Sequence, residues 1–347
     1  MANTVTLPWE IVEEILALLP SKSIHRFRQV SKSWSSFSVS LEFHRFRTKS
    51  RPPETNLPKI LERSIVNDGY VIESLDNLGG GEDHVRVCFP TDKDVCFVGS
   101  CNGLVCVAVC HVSRVVELVV WNPFTGTCRK LQDIDDFGYR MRRFGNGFSF
   151  GYDSVADDYK LGTTGNCLRL IRQEHKVGLF LNGALHWLVW IGCVKPKIIA
   201  FDLAKEKFYD VPELVLLGDE ERNYKSLGVV GEYLCMHWVS RGNDVVDKVY
   251  VMKEYGNGES WVPFISYTSS GCVDDYVHFV CDFIPQAVKD GGYMILHFSG
   301  DLQHILKWDN AEETVESEEF FMHIRFSNHL NTMPYTESLT SPYPSFS

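Results

Sequence analysis

The chain has no apolar run long enough to cross a bilayer. Its longest, LFLNGALHWLVWIGCV at 179–194, is interrupted by Asn182, Gly183 and His186, whereas a spanning helix needs about 20 apolar residues. It also lacks a basic flank leading into an apolar stretch at its N-terminus, so no export signal is read there. Eleven cysteines without such a signal are expected as reduced thiols in the cytoplasm or nucleus. Positive charge is in deficit: 34 Lys and Arg face 45 Asp and Glu, a net charge of −11. That argues against nonspecific nucleic-acid binding. Chemical motifs are equally scarce. No Gly-x-Ser-x-Gly elbow marks a hydrolase nucleophile. The GNGFSFG stretch at 145–151 runs into strand-like sequence, whereas a phosphate loop needs a helix after it. Cys96, Cys101, Cys106 and Cys110, with His111 adjacent, are separated by four, four and three residues along what reads as paired strands, where neighbouring side chains alternate faces, unlike the two matched Cys-x2–4-Cys pairs of a zinc site. They read as small buried hydrophobes on strands. No catalytic residue, cofactor or metal ligand is assigned, and an enzyme is not expected.

What is present is ordinary globular material, 44% apolar and 23% charged, in a chain long enough for a small module plus a large domain. Charge divides the same way. Residues 1–50 carry a net +3 and the remainder −14. Residues 7 to about 47 have helical texture. Pro8 suits a first helical turn, Pro20 ends that helix and opens a second, and Ser31 is placed to cap a third that carries Trp34 and Phe37. On a wheel of about 100° per residue, Leu7, Pro8, Ile11, Val12, Ile15, Leu16, Leu18 and Leu19 sweep roughly 200°. A surface helix packed on its own core needs a stripe only somewhat wider than ~100°. The first helix therefore has more apolar surface than its module can shelter. Arg26, Arg28 and Lys32 form a small basic face, read as a solvated helix surface or a contact for acidic residues of a partner.

RPPETNLP at 51–58 breaks the helical pattern, because successive prolines cannot continue it. Beyond about residue 62, short runs rich in Val, Phe, Tyr and Trp alternate with Gly, Asn and Asp turns, the texture of strands and hairpins. Asn102-Gly103 and Asn182-Gly183 sit between such runs as tight-turn signals. A loose repeat, in which an aromatic or aliphatic strand runs into a polar turn, recurs at Asn122, Asp202, Lys253 and Asp309, at intervals of 80, 51 and 56. Repeats of about 40–50 residues, each a small antiparallel sheet, are the sequence form of a β-propeller. The long interval leaves room for one shortened unit around FSFGYDSVADDYKLG. A β-sandwich is the alternative. His186, Trp187 and Trp190, with Trp121, Trp238 and Trp308, fall on strand-like sequence and are expected mostly between sheets.

These segments carry a family resemblance. LPWEIVEEILALLPSKSIHRFRQVSKSWSSF resembles an F-box. GSCNGLVCVAV, VVWNPFTGTCRKL, FGYDSVADDYKL, FLNGALHWL, IIAFDLAKEKFYDVP and PYTESLTSP follow, in order, the pattern of the plant F-box-associated domain. The resemblance implies a small all-α, three-helix F-box (1–48), a linker (49–61), a large all-β domain forming a degenerate or incomplete β-propeller (62–330) and a C-terminal tail (331–347). It further implies the substrate-recognition subunit of a Skp–cullin–F-box ubiquitin ligase. The F-box would bind a Skp-type adaptor, and through it a cullin–RING ligase, at Leu7, Pro8, Ile11, Ile15, Leu19, Ile24, Val30 and Trp34. The β domain would recruit a protein target; neither nucleic acid nor membrane is implied as a partner. A binding module for proteins or glycans without a ligase role is the alternative. Two departures stand out. Only GTTGNCLRLIRQEHKVG separates DDYKL from FLNGALHWL, where the family has another strand pair, so one blade is expected to be incomplete. Gln29 and Ser31 replace cysteines common in the family, making the junction of the second and third helices more polar.

Overall fold

The computed structural model describes residues 7–51, 59–66, 69–75, 84–111, 114–131, 148–163, 171–173, 178–191, 195–214, 225–230, 232–239, 246–268, 284–287, 293–299, 302–309, 314–320 and 332–343. Four helices come first: α1 (Trp9–Leu18), α2 (Ser21–Phe27), α3 (Lys32–Ser38) and α4 (Leu41–Ser50). Helix α1 opens after Pro8, whose carbonyl accepts from Val12 N–H at 3.3 Å. Pro20 precedes α2 in the same way, its carbonyl accepting from Ser23 N–H at 2.9 Å. The Ser31 hydroxyl accepts from Trp34 N–H at 3.1 Å and caps α3. Ser40 repeats that device with Phe43 N–H at 3.1 Å and opens a fourth helix, where three were expected. The polar run LEFHRFRTKS hides α4 from a periodicity argument, because only Phe43 and Arg47 of it are buried.

After the helices the described residues form strands in six sheets, arranged as a propeller-like ring. The first sheet holds β1 (Lys59–Val66), β2 (Gly69–Leu75) and β3 (His84–Val87). The second holds β4 (Asp94–Cys101), β5 (Leu104–His111), β6 (Arg114–Trp121) and β7 (Cys128–Lys130). The third is the short hairpin β8 (Phe148–Asp153) and β9 (Asp158–Thr163). In the fourth, β10 (Ile171–Gln173) and β11 (Leu179–Leu181) both pair with β12 (Ala184–Ile191), followed by β13 (Lys195–Asp202) and β14 (Lys207–Val211). The fifth runs β15 (Lys225–Val230), β16 (Tyr233–Val239), β17 (Val246–Met252) and β18 (Trp261–Thr268). The sixth runs β19 (Ile284–Ala287), β20 (Tyr293–Ser299), β21 (Leu302–Asp309) and β22 (Thr314–Phe320). Finally β23 (Thr332–Tyr335) joins the edge of β1 away from β2, with Lys59 opposite Tyr335. Two expected boundaries shift as a result. Strand β1 starts inside the expected linker, and β23 lies inside the expected tail. Four residues reading TMPY become a strand only because β1 offers them a partner.

The sheets pack face to face, and strand alternation supplies both faces. On β5, Val105, Val107 and Val109 join Leu61, Ile72, Met333 and Tyr335 of the first sheet. The alternate residues Leu104, Cys106, Ala108 and Cys110 join Phe150, Tyr152 and Tyr159 of the third. On β12, Leu185, Trp187 and Val189 occupy one cluster, while Ala184 and Leu188 meet Leu234, Met236 and Met252 of the fifth sheet. Trp121, Trp187 and Trp238 are fully buried; the side chains of Trp190 and Trp308 lie outside the described residues. The four clustered cysteines line the cluster between the second and third sheets. Burial there pushes the Cys101 and Cys106 thiols up.

Hairpin connections fix which strand ends share a face. Asn102 (φ 53°) with Gly103 (φ 77°), and Asn182 (φ 51°) with Gly183 (φ 76°), turn β4 into β5 and β11 into β12. Both residues of each pair have positive φ, the conformation that favours Asn-Gly. The turns after β6, β8 and β13 open alike. The Asn122 side-chain oxygen accepts from Phe124 and Thr125 N–H, Asp153 from Val155 and Ala156, and Asp202 from Ala204 and Lys205. All these turns fall on one face of the ring.

Candidate functional site

Helix α1 divides its apolar surplus between two directions. Val12, Leu16 and Ala17 are buried in a cluster with Ile24 and Phe43. Ile11, Ile15 and Leu18, about 100° round the helix from Val12, stay 43%, 44% and 61% exposed. Leu7, before α1, and Val30, after α2, are also bare, at 58% and 62%.

The module beneath this stripe is rigidly tied. Arg47 of α4 donates from Nη1 to Ser21 Oγ at 3.0 Å and from Nη2 to the Leu19 carbonyl at 2.9 Å. It thereby fixes the α1–α2 corner. Burial lowers its pKa to about 10, so it remains charged at neutral pH. His44 goes the other way. Burial, then the charges of Arg47 and Arg45, hold it near 4, neutral under physiological conditions.

The residues expected to contact a partner separate into three groups. Leu7, Pro8, Ile11, Ile15 and Val30 are exposed. Leu19 and Trp34 are half-buried against the helical core. Ile24 departs from expectation: it is 1% exposed and faces inward. It has a neighbour that its local sequence does not reveal, Leu339, which enters the helical cluster from the far part of the chain. Sequence reasoning missed three exposed residues. Trp9 stands edge-on to Phe37 at 5.3 Å, and Phe27 edge-on to Trp34 at 6.1 Å; Leu18 is bare. The signal for Leu18 was there, since it sits three residues after Ile15 and seven after Ile11.

Acidic side chains flank the stripe along α1, and basic ones are exposed on the following helices. Glu10 and Glu14 are exposed on α1, and Lys22, Arg26 and Lys32 on α2 and α3. An apolar centre with a charged rim is the anatomy of a protein-binding surface. Among the described residues no three His, Cys, Asp or Glu side chains are grouped to hold a metal. No helix there is long and apolar enough to cross a membrane.

The helices also touch the ring, but with other residues. Leu339 and Phe124 pack into the helical cluster, with His25 edge-on to Phe124 at 6.2 Å. Arg45 lies over the Tyr152 ring at 5.3 Å. Phe124 and Tyr152 belong to the β6–β7 and β8–β9 ends, so the module sits on the turn face of the ring. The stripe of Ile11, Ile15 and Leu18 is left uncovered.

Comparison with known proteins agrees with this division. Residues 6–46 match the F-box domain, so the chain carries an F-box followed by a β domain. An F-box/kelch-repeat protein of Arabidopsis thaliana is 25% identical, over 87% of this chain and 88% of its own length. An F-box protein of the same plant is 31% identical over 54% of this chain and 52% of its own. Among solved structures, TolB from Acinetobacter baumannii aligns with a TM-score of 0.47 at 8% identity, covering 85% of this chain and 72% of that one.

Proposed function

We propose that this chain is the target-binding subunit of a Skp–cullin–F-box ubiquitin ligase, acting in the cytoplasm or nucleus as an adaptor. The observation that carries the reading is the exposure of Leu7, Ile11, Ile15, Leu18 and Val30 on a domain that matches the F-box. Packing among the described residues does not account for it, because the ring contact uses Leu339 and Phe124 against the buried side of the helices. Docking on a Skp-type adaptor supplies the missing cover. Burying a large aliphatic side chain contributes ~1.5–3 kcal/mol. Five of them support a firm interface after the cost of association is subtracted.

In this reading the chain performs no bond chemistry. It tethers a protein target and raises the effective concentration of the target's lysines at the ubiquitin-charged enzyme. The F-box covers part of the turn face of the ring. Target recognition is therefore assigned to the opposite strand ends, on a rigid scaffold where connections vary without disturbing the core.

Capture of a purified Skp-type adaptor by the full chain tests this. Wild type should retain the adaptor, and Leu7→Asp combined with Ile15→Asp should lose it while the ring melts at an unchanged temperature. Failure of wild type to retain any adaptor, or full retention by the double variant, refutes the ligase role. The chain is then a binding module of another kind.

A further inference from the structure

We propose that the segment 336–343 is a clasp that fixes the angle between the F-box and the ring, with Asn122 and Leu339 as its positioning residues. Two bodies joined by a linker move relative to one another by default unless something locks them. Here one extended segment is bonded to both. Towards the ring, Lys59 and Glu337 pair at 2.7 Å, Ser338 Oγ donates to the Asn102 carbonyl at 3.2 Å, and Tyr343 donates to the Cys128 carbonyl at 3.0 Å. Towards the F-box, Ser341 N–H donates to the Val39 carbonyl at 3.1 Å, and Leu339 is buried with Val12, Leu16 and Ile24.

Alternation along the extended segment separates the two jobs. Ser338 and Thr340 turn their carbonyls to the ring, and Leu339 between them turns its side chain to the helices. Asn122 joins the parts. It is fully buried, and its Nδ2 donates to the Ser338 carbonyl at 3.0 Å and the Thr340 carbonyl at 2.9 Å. Its Oδ1 accepts from Phe124 N–H at 2.9 Å and Thr125 N–H at 3.1 Å. One side chain thus holds the turn that presents Phe124 to the F-box and the segment that presents Leu339 to it. Glycine at position 103 is required by the same contact, since a Cβ there would lie 2.2 Å from Ser338 Oγ.

The functional consequence rests on the ligase reading: a fixed angle determines which faces of a tethered target meet the ubiquitin-charged enzyme. The clasp itself can be measured without it. Bioorthogonal spin labels at the exposed positions Glu14 and Glu232 report the distance between the bodies in the full chain. Wild type should give one narrow distribution. Leu339→Ala should broaden it, roughly twofold or more, as for unlocked domains, while the melting temperature of the ring is retained; Asn122→Ala should broaden it as well and also lower that temperature, because it frees the β6–β7 turn. Ser341→Pro removes the N–H that bonds Val39, together with the hydroxyl that accepts from Tyr343 N–H at 3.2 Å, and should broaden the distribution less; it keeps the test alive should Asn122→Ala fail to fold. Distributions as narrow as wild type in Leu339→Ala and Ser341→Pro overturn the clasp. Loss of adaptor capture by wild type overturns the ligase reading alone, leaving the distance result to stand or fall separately.

Discussion

Strand β5 and helix α1 are both strongly apolar, yet they end in opposite conditions. Every residue of β5 from Leu104 to Cys110 is buried, whereas α1 leaves Ile11, Ile15 and Leu18 in water. The difference is one of neighbours. A strand inside a propeller-like ring has a sheet on each side, so both alternating faces find cover within the chain. A helix at the margin of a small module has its core on one side only. Apolar density therefore means core in the first case and an open binding surface in the second.

The contrast breaks first where cover is most complete. Trp121 is fully buried, with Phe89 edge-on to it at 5.3 Å. Trp121→Ala should cost about 3–5 kcal/mol, read as a lowered denaturant midpoint. A loss below about 1 kcal/mol would show that the cluster between the first two sheets is not the core of the ring.

Acid should expose the next difference. His186 is fully buried on β12, and its Nδ1 lies 3.2 Å from the Leu179 carbonyl. A carbonyl only accepts, so Nδ1 carries the hydrogen and Nε2 accepts from the Tyr255 hydroxyl at 2.6 Å. Tyr255 in turn bonds Tyr209 at 2.7 Å. Burial holds His186 near 4, against 6.5 for the free group. The unfolded chain thus takes up a proton that the folded chain refuses between these values, and stability is lost as pH falls through that window. By pH 5 the loss should reach about 2 kcal/mol from this residue. Denaturant midpoints at pH 7 and pH 5, compared with those of His186→Gln, measure it. Equal pH dependence in the two proteins would remove His186 as the cause.

Much of the ring was legible in the sequence, because it rests on local rules. Asn-Gly needs positive φ at both turn residues, and both pairs have it. Asn122, Asp202, Lys253 and Asp309 follow or end the last strand but one of the second, fourth, fifth and sixth sheets, and the long interval holds the shortened hairpin β8–β9. What stayed hidden depends on distant partners. β23 is a strand only against β1. Ile24 faces inward into a helical cluster that the distant Leu339 completes. A helical wheel yields the width of an apolar arc and not what stands opposite each part of it, so Leu18 was passed over while Ile24 was included.

The fourth helix offers a smaller test. Ser40 caps α4 through Phe43 N–H and also donates to the Phe37 carbonyl at 2.7 Å. Ser40→Ala should destabilise the F-box by about 1 kcal/mol, seen as faster amide exchange across α4 with no change in the ring. An equal change in both regions would mean that the two unfold as one unit.

The smallest effect is the most discriminating. Ile11→Ser and Leu18→Ser remove side chains that touch little in the free chain, so each should shift its stability by no more than about 0.5 kcal/mol. Against a docked adaptor the same atoms are buried, and losing ~1.5 kcal/mol or more of transfer energy weakens capture by about tenfold or more. Titration of adaptor binding beside a denaturant melt separates the two quantities. If stability falls as far as it does for a buried residue such as Leu16→Ala, the stripe is core after all. If neither quantity moves, the exposed apolar surface of α1 is not where the adaptor sits. Only unchanged folding with weakened binding fits a helix whose missing neighbour is another protein.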